Sequence, residues 1–266
     1  MKILNIRMIK PVLHYFNLAD EVVSFSTTRH GGVSKGKLAT LNINPHRGDE
    51  PSAVAENLQA VAAEIGVQAD KVIRLHQIHE THCLTVTDTF FRLSVAEQYE
   101  MEEGKDAVVT DCRNVCIGVH TADCVPILFY DPVHHAIGAA HAGWRGTVQH
   151  IAQHTLRKMT ELYGTDPKEL KAVVGPCISQ KNFEVGQEVY DAFSAAGFPM
   201  ERIARMYEKW HIDLPLCNQL QLEELGVPAA NILQSGICTY DNASDFFSAR
   251  ILKEGFGTIY TGIALK

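Results

Sequence analysis

Cys124 and His141 each sit in a short stretch whose composition resists a packing explanation: Thr121-Ala122-Asp123-Cys124-Val125-Pro126 and His141-Ala142-Gly143-Trp144-Arg145-Gly146. A thiol, an imidazole, a carboxylate and a guanidinium thus arrive at the ends of apolar segments, where a scaffold delivers side chains into a cleft. Taken alone, the pair reads equally well as a soft metal ligand with an imidazole and as a cysteine nucleophile with its histidine base. A second concentration, His76-Gln77-Ile78-His79-Glu80-Thr81-His82, spaces three imidazoles three residues apart. On a helix they would share a face, whereas in a strand or loop only some point inward, and a polar surface run is the plainer reading.

The segments that must position these residues carry clear patterns. Apolar runs at 107–109, 115–119, 125–130 and 136–140 predict strands buried on both faces. Residues 22–28 alternate as a strand does and run into the turn pair Gly31-Gly32. The spacing of Val54, Leu58, Val61 and Ile65 predicts a helix over 51–65 closed by Gly66. Thr147 is expected to cap a helix reaching about residue 163, with Ile151, Leu156, Met159 and Leu162 on one side and Gly164 at its end. Strands are expected at 72–75 and 171–175, helices at 187–195 and 216–225, and a solvated loop over the acidic stretch 97–106. Strands alternating with helices predict an α/β fold, a central sheet covered by helices. No linker, low-complexity run or internal repeat interrupts it, so residues 1–266 read as a single domain.

Composition narrows the function. The chain has 266 residues, 46% of them apolar, and a net charge of −7 with no basic stripe, which argues against a nucleic-acid binder. Lys2, Arg7 and Lys10 interrupt the N-terminus, so neither a signal sequence nor a membrane span is expected and the protein is placed in the cytoplasm. Seven scattered cysteines suit reduced thiols rather than a disulfide scaffold. Gly31-Gly32-Val33-Ser34-Lys35-Gly36-Lys37 nearly spells a phosphate-binding loop, but Leu38 stands where a hydroxyl must meet Mg²⁺.

Taken in order, Thr28-Arg29-x-Gly31-Gly32-Val33-Ser34, Leu41-Asn42, His46-x-Gly48-Asp49, Gln77-Ile78-His79, Asp106 to Thr110, Thr121-Ala122-Asp123-Cys124-x-Pro126, His141 to Gly146, Gly175-Pro176-x-Ile178, Phe183 to Gly186, Cys238-Thr239 and Phe246-Phe247-Ser248 resemble the signature of the YfiH-like or laccase-domain family. The likeness runs along nearly the whole chain. Members carry the labels polyphenol oxidase, purine nucleoside phosphorylase and peptidoglycan editing factor. The resemblance implies one α/β domain with a mixed sheet, of the sandwich type shared with cytotoxic necrotizing factors, and a zinc site ligated by His79, Cys124 and His141. His76, His82 and His120 then stand aside from the metal. Three positions depart from the family pattern: Glu80 where glycine is usual, Ala249 where tyrosine is, and Cys177 where serine is common.

Two imidazoles and a thiolate suit Zn²⁺ and leave a fourth position for water or substrate. Zinc acidifies a bound water towards a pKa of about 7, which suits attack on C6 of adenosine, with Asp123 either shuttling the proton or orienting a ligand. Phosphorolysis instead needs an anion held beneath the ribose, for which the guanidinium groups of Arg29 or Arg145 serve. Asn42 and His46 are expected at the pocket rim, and Trp144 either packs or stacks on the base. The family implies phosphorolysis of adenosine, inosine and methylthioadenosine and deamination of adenosine, by a monomer or homodimer with small-molecule substrates. The alternatives are copper-dependent phenol oxidation, a metal-free Cys124–His141 hydrolase active in peptidoglycan-precursor editing, and a non-catalytic zinc module.

Overall fold

The computed structural model describes residues 9–266, so Lys2 and Arg7 lie outside the described residues. Its strands are β1 (Leu13–Tyr15), β2 (Val22–Thr27), β3 (Cys83–Thr85), β4 (Ala107–Thr110), β5 (Cys116–Thr121), β6 (Val125–Asp131), β7 (Ala136–Ala142), β8 (Lys171–Val174), β9 (Glu184–Val185), β10 (Ala204–Met206), β11 (Trp210–Ile212), β12 (Ile232–Gln234) and β13 (Ile259–Leu265). The helices are α1 (Pro51–Ile65), α2 (Val95–Glu102), α3 (Trp144–Val148), α4 (Ile151–Tyr163), α5 (Gln187–Ala195), α6 (Met200–Ile203), α7 (Leu214–Glu224) and α8 (Ala249–Leu252).

Six strands form a mixed sheet in the order β12-β8-β6-β7-β4-β3, antiparallel at its centre and parallel in its two outer pairs. Four more form an antiparallel sheet, β1-β2-β13-β5, and β10-β11-β9 make a small third one. The period-2 alternation of the strands decides the layering. On β6, Val125, Ile127 and Phe129 face a core completed by Ile151, Leu156 and Met159 of α4. Leu128 and Tyr130 of the same strand face the other way, onto Ile117 and Val119 of β5 and Ile263 of β13. The outer face of the antiparallel sheet offers Phe25, Cys116 and Tyr260 to Leu58, Val61 and Ala62 of α1.

The protein is thus an α/β sandwich of four layers, with α1, the antiparallel sheet, the mixed sheet and then α4, α5 and α7. Each sheet has helices on one face only, and the two sheets bury each other's second face. Phe129 is fully buried between sheet and helix, and truncating such a ring to alanine costs about 3–5 kcal/mol.

The predicted strands at 22–28, 107–109, 115–119, 125–130, 136–140 and 171–175 are present within a residue or two, and α1 and α5 match their predicted spans. Gly66 closes α1 at φ 76, the left-handed conformation a C-terminal glycine supplies. Four expectations change. Residues 72–75 make only an isolated bridge, Val72 to Cys116, because the chain must turn at once into the histidine loop. The acidic stretch is helical over α2, started by a capping box in which Ser94 Oγ accepts from the Glu97 amide and the Glu97 carboxylate accepts from the Ser94 amide. Thr147 caps nothing: it is buried inside α3, and His150 at φ 59 breaks the chain before α4 begins. The helix expected at 216–225 starts two residues earlier, where the Asp213 side chain accepts from the Leu216 amide. Strand β13, between β2 and β5, is an addition.

Candidate metal centre and its cleft

Sheet register builds the site. Because β4 and β7 pair antiparallel with Ala107 opposite Ala140, Asp106 falls opposite His141. The Asp106 carbonyl accepts from the His141 amide at 2.8 Å, and its carboxylate accepts from His141 Nδ1 at 2.7 Å. Both side chains are buried, at 0% and 3% exposure. With the hydrogen of Nδ1 given to Asp106, the lone pair of Nε2 remains for a metal.

The same carboxylate fixes the second imidazole. Asp106 also accepts from the amides of Ile78, His79 and Glu80 at 3.1, 2.9 and 2.9 Å, wrapping the loop around one buried anion. Burial alone would raise its carboxyl pKa, yet these hydrogen bonds and the partnership with His141 hold it below the ordinary value. Gln77 clasps the loop to β5, donating to the His120 carbonyl at 2.8 Å and accepting from its amide at 2.7 Å. His79 adopts φ 67, a conformation that non-glycine residues hold only where their surroundings impose it.

Cys124 precedes β6 and is turned by Asp123 at φ 84. The sulfur and one nitrogen from each of His79 and His141 all lie within 4.8 Å of one another. Burial opposes ionisation of the thiol, but the His141 and His79 imidazoles bring it down to about 6. Reciprocally, the Cys124 sulfur and Asp106 overcome burial and raise His141 to about 9. An easily ionised thiolate with two imidazoles is a borderline-soft donor set, and it fits Zn²⁺.

Gly143 closes the back of this group. A Cβ there would stand 3.0 Å from His79 Cδ2 and 3.1 Å from Cys124 Sγ, although the backbone itself is relaxed at φ −65. Gly143→Ala is therefore expected to keep its far-ultraviolet circular dichroism and lose zinc affinity by about 10-fold or more, measured by chelator competition. Unchanged affinity would show that the ligands have slack.

The group opens into a cleft of about 240 Å³ walled by His46, Arg47, His76, His120, Thr121, Ala249, Phe256 and Thr258 among others. His46 reaches it as expected, stacked on His76 at 4.1 Å between ring centroids. His76 thus belongs to the cleft, while His82 pairs with Glu80 outside it. Ala249, where the resemblance led us to expect a tyrosine, lies in the wall.

The other expected substrate residues are placed elsewhere. Arg29 donates to the Ala39 and Ala243 carbonyls at 3.1 and 2.9 Å and lies over Phe247. Asn42 is fully buried and ties the Asn44 carbonyl to Asp49. Arg145 is exposed and covers the Trp144 ring at 4.3 Å, while Trp144 packs on the helix-side core. The Asp123 carboxylate accepts from Thr239 Oγ1 at 2.7 Å, Ser248 Oγ at 3.0 Å and the Arg250 amide at 2.7 Å. It therefore binds together the loops behind Cys124, and Asp106 is the carboxylate on His141. Arg47 is the arginine the residue patterns passed over. It lines the cleft, uses Nε on the Phe256 carbonyl at 3.0 Å and lies over the Phe256 ring at 4.3 Å.

Comparison with known proteins identifies the family of the chain and its fold. The family model described as multi-copper polyphenol oxidoreductase laccase matches residues 23–266. A protein of Bacteroides thetaiotaomicron named purine nucleoside phosphorylase is 40% identical over 96% of this chain and 97% of its own length. Adenosine deaminase RL5, from an unknown prokaryotic organism, is 36% identical over 96% and 98%. The crystal structure of the hypothetical protein YfiH of Bacillus licheniformis superposes with a TM-score of 0.89 at 30% identity, covering 98% of each chain. With the family model spanning most of its length and such relatives along nearly all of it, the chain belongs to the laccase-like YfiH family.

Proposed function

We propose that this protein is a zinc-dependent purine nucleoside enzyme, which splits adenosine, inosine and methylthioadenosine with phosphate and hydrolytically deaminates adenosine. The observation that carries the reading is the His79, Cys124 and His141 group open to the cleft. The relatives named purine nucleoside phosphorylase and adenosine deaminase support it. Bound Zn²⁺ would supply Lewis acidity and an acidified water.

The remaining work falls to the chain's own residues. Asp106 holds the hydrogen of His141 Nδ1 and the loop of His79, so both imidazoles are oriented before a ligand arrives. Arg47, with its terminal nitrogens unbonded among the described residues and His46 and His76 on the same wall, takes the anion-holding role expected of Arg29 or Arg145. Asp123 is a positioning residue behind Cys124. Among the described residues no helix is long and apolar enough to cross a membrane. The free state of the seven cysteines supports a reducing, cytoplasmic setting.

Two observations speak for other readings. The family description names copper oxidation, but among the described residues only one group of three close donors occurs, whereas multicopper oxidation needs several centres. The acidified Cys124 beside a basic His141 also suits a cysteine hydrolase. One experiment separates all three: purine products from adenosine and inosine with and without phosphate, oxygen uptake with a phenol, and metal content on the same preparation. One zinc per chain with phosphate-dependent hypoxanthine is the expected result. Stoichiometric loading with several coppers and phenol-driven oxygen uptake would overturn it, as would full turnover by metal-free protein.

A further inference from the structure

Two buried side-chain atoms of residues in the cleft wall have no hydrogen-bond partner among the described residues, and they sit on consecutive residues: His120 Nε2 and Thr121 Oγ1. The residues are only 4% and 2% exposed. An unpaired buried polar atom is costly, and native sites that retain one keep it for something that binds.

The hydrogen-bond chain behind His120 fixes what it offers. Asn44 Oδ1 accepts from the His46 amide at 2.9 Å, so its Nδ2 is the end that reaches Thr258 Oγ1 at 3.3 Å. Thr258 Oγ1, already accepting from Asn44, lies 3.3 Å from His120 Nδ1 and has its own hydrogen to give. Among the described residues that hydrogen has no other acceptor, so Nδ1 is assigned as the acceptor and the ring hydrogen to Nε2. Burial, reinforced by the Arg74 charge, keeps the imidazole neutral by pushing its pKa well below the ordinary value. The cleft is thus equipped with a neutral, buried donor without a partner among the described residues.

Resting on the purine nucleoside reading above, we infer that His120 Nε2 donates a hydrogen bond to N7 of the purine base. N7 is the imidazole-ring acceptor shared by 6-amino and 6-oxo purines, so one donor serves adenosine and inosine alike. In phosphorolysis the C1′–N9 bond breaks as a phosphate oxygen bonds C1′. The electron pair passes into the base and spreads onto N7, and the hydrogen of HPO₄²⁻ ends on the departing purine. A donor at N7 is strengthened as that charge develops, while His120 keeps its own proton.

The test uses zinc-loaded full-length protein and the bases hypoxanthine and 7-deazahypoxanthine, whose C–H in place of N7 accepts nothing. Calorimetric binding to the wild type is expected to weaken roughly 10- to 100-fold with the deaza base, the equivalent of one lost buried hydrogen bond. His120→Phe, which keeps a ring without a donor, is expected to bind both bases alike with zinc content unchanged, and to lower kcat on inosine more than it raises the KM for phosphate. His120→Gln restores part of the discrimination. Equal binding of the two bases by the wild type overturns the inference without any variant, as does full discrimination by His120→Phe or a loss confined to the phosphate KM. A wild type that binds neither base and releases no hypoxanthine from inosine defeats the purine reading itself.

Discussion

Cys124→Ser is expected to leave a folded protein that holds little zinc and forms purine from inosine and phosphate with kcat/KM reduced by more than about 100-fold. Loss of a residue that merely supports a ligand already costs 10- to 100-fold in metal affinity or activity, so loss of a ligand exceeds that. Serine is nearly isosteric, but its hydroxyl does not ionise near neutral pH, and the site loses the only soft, anionic donor among His79, Cys124 and His141. The fold survives because Cys124 is only half-buried, and neighbouring Asp123 keeps its bonds to Thr239, Ser248 and the Arg250 amide.

Alkylation gives the same residue a second readout. In zinc-free wild type the thiol titrates at about 6, so iodoacetamide labelling of Cys124 should be near its maximum at neutral pH and fall as pH drops below 6. Added zinc should block it. A stable substrate adduct on Cys124 in zinc-loaded protein would favour the cysteine hydrolase, and undiminished turnover by Cys124→Ser would overturn every reading that rests on this residue.

The elements were legible where one physical signal dominated. Residues 125–130 and 136–140 are apolar on both faces, and only a doubly covered strand uses such a run. That signal does not distinguish a face covered by a helix from one covered by a second sheet, so the contact of β6 with β5 and β13 was not readable. The helix α2 was hidden for a different reason. Val95, Tyr99 and Met101 are exposed and no residue of it is buried, so it has no apolar stripe, although Ser94 and Glu97 carried a capping signal.

At the site, the residue types that hold a metal were visible, while the choice among the histidines was not a matter of spacing. His79 stands out because Asp106 collects the amides around it, a contact made across the sheet by residues 27 positions apart. The arginines expected at the substrate lie away from the cleft for a similar reason. Arg29 and Arg145 sit in the more conspicuous motifs, but carbonyls and an aromatic ring absorb them, whereas Arg47 comes to the cleft through its packing on Phe256.

That dependence on a single carboxylate makes Asp106 the most consequential residue outside the ligand set, and Asp106→Asn is the variant that exposes it. The substitution keeps the shape, but asparagine offers one acceptor oxygen where the carboxylate serves His141 Nδ1 and three amides, and its own N–H hydrogens now confront donors. Removing one partner of a buried charged pair costs about 3–5 kcal/mol, and the ligand loop loses its anchor as well. Zinc affinity should therefore fall about 10- to 100-fold, and denaturant unfolding of the metal-free protein should move to clearly lower midpoints. The pH dependence fixes the cause. A carboxyl held below its ordinary value stabilises the fold fully above about 3.9, the unfolded value, and loses that contribution as pH falls through the lower folded value. The stability gap between wild type and Asp106→Asn should then be widest near neutral pH and narrow below pH about 4. A gap that stays constant into acid would mean that shape, and not the charge of Asp106, holds His79 and His141 in place.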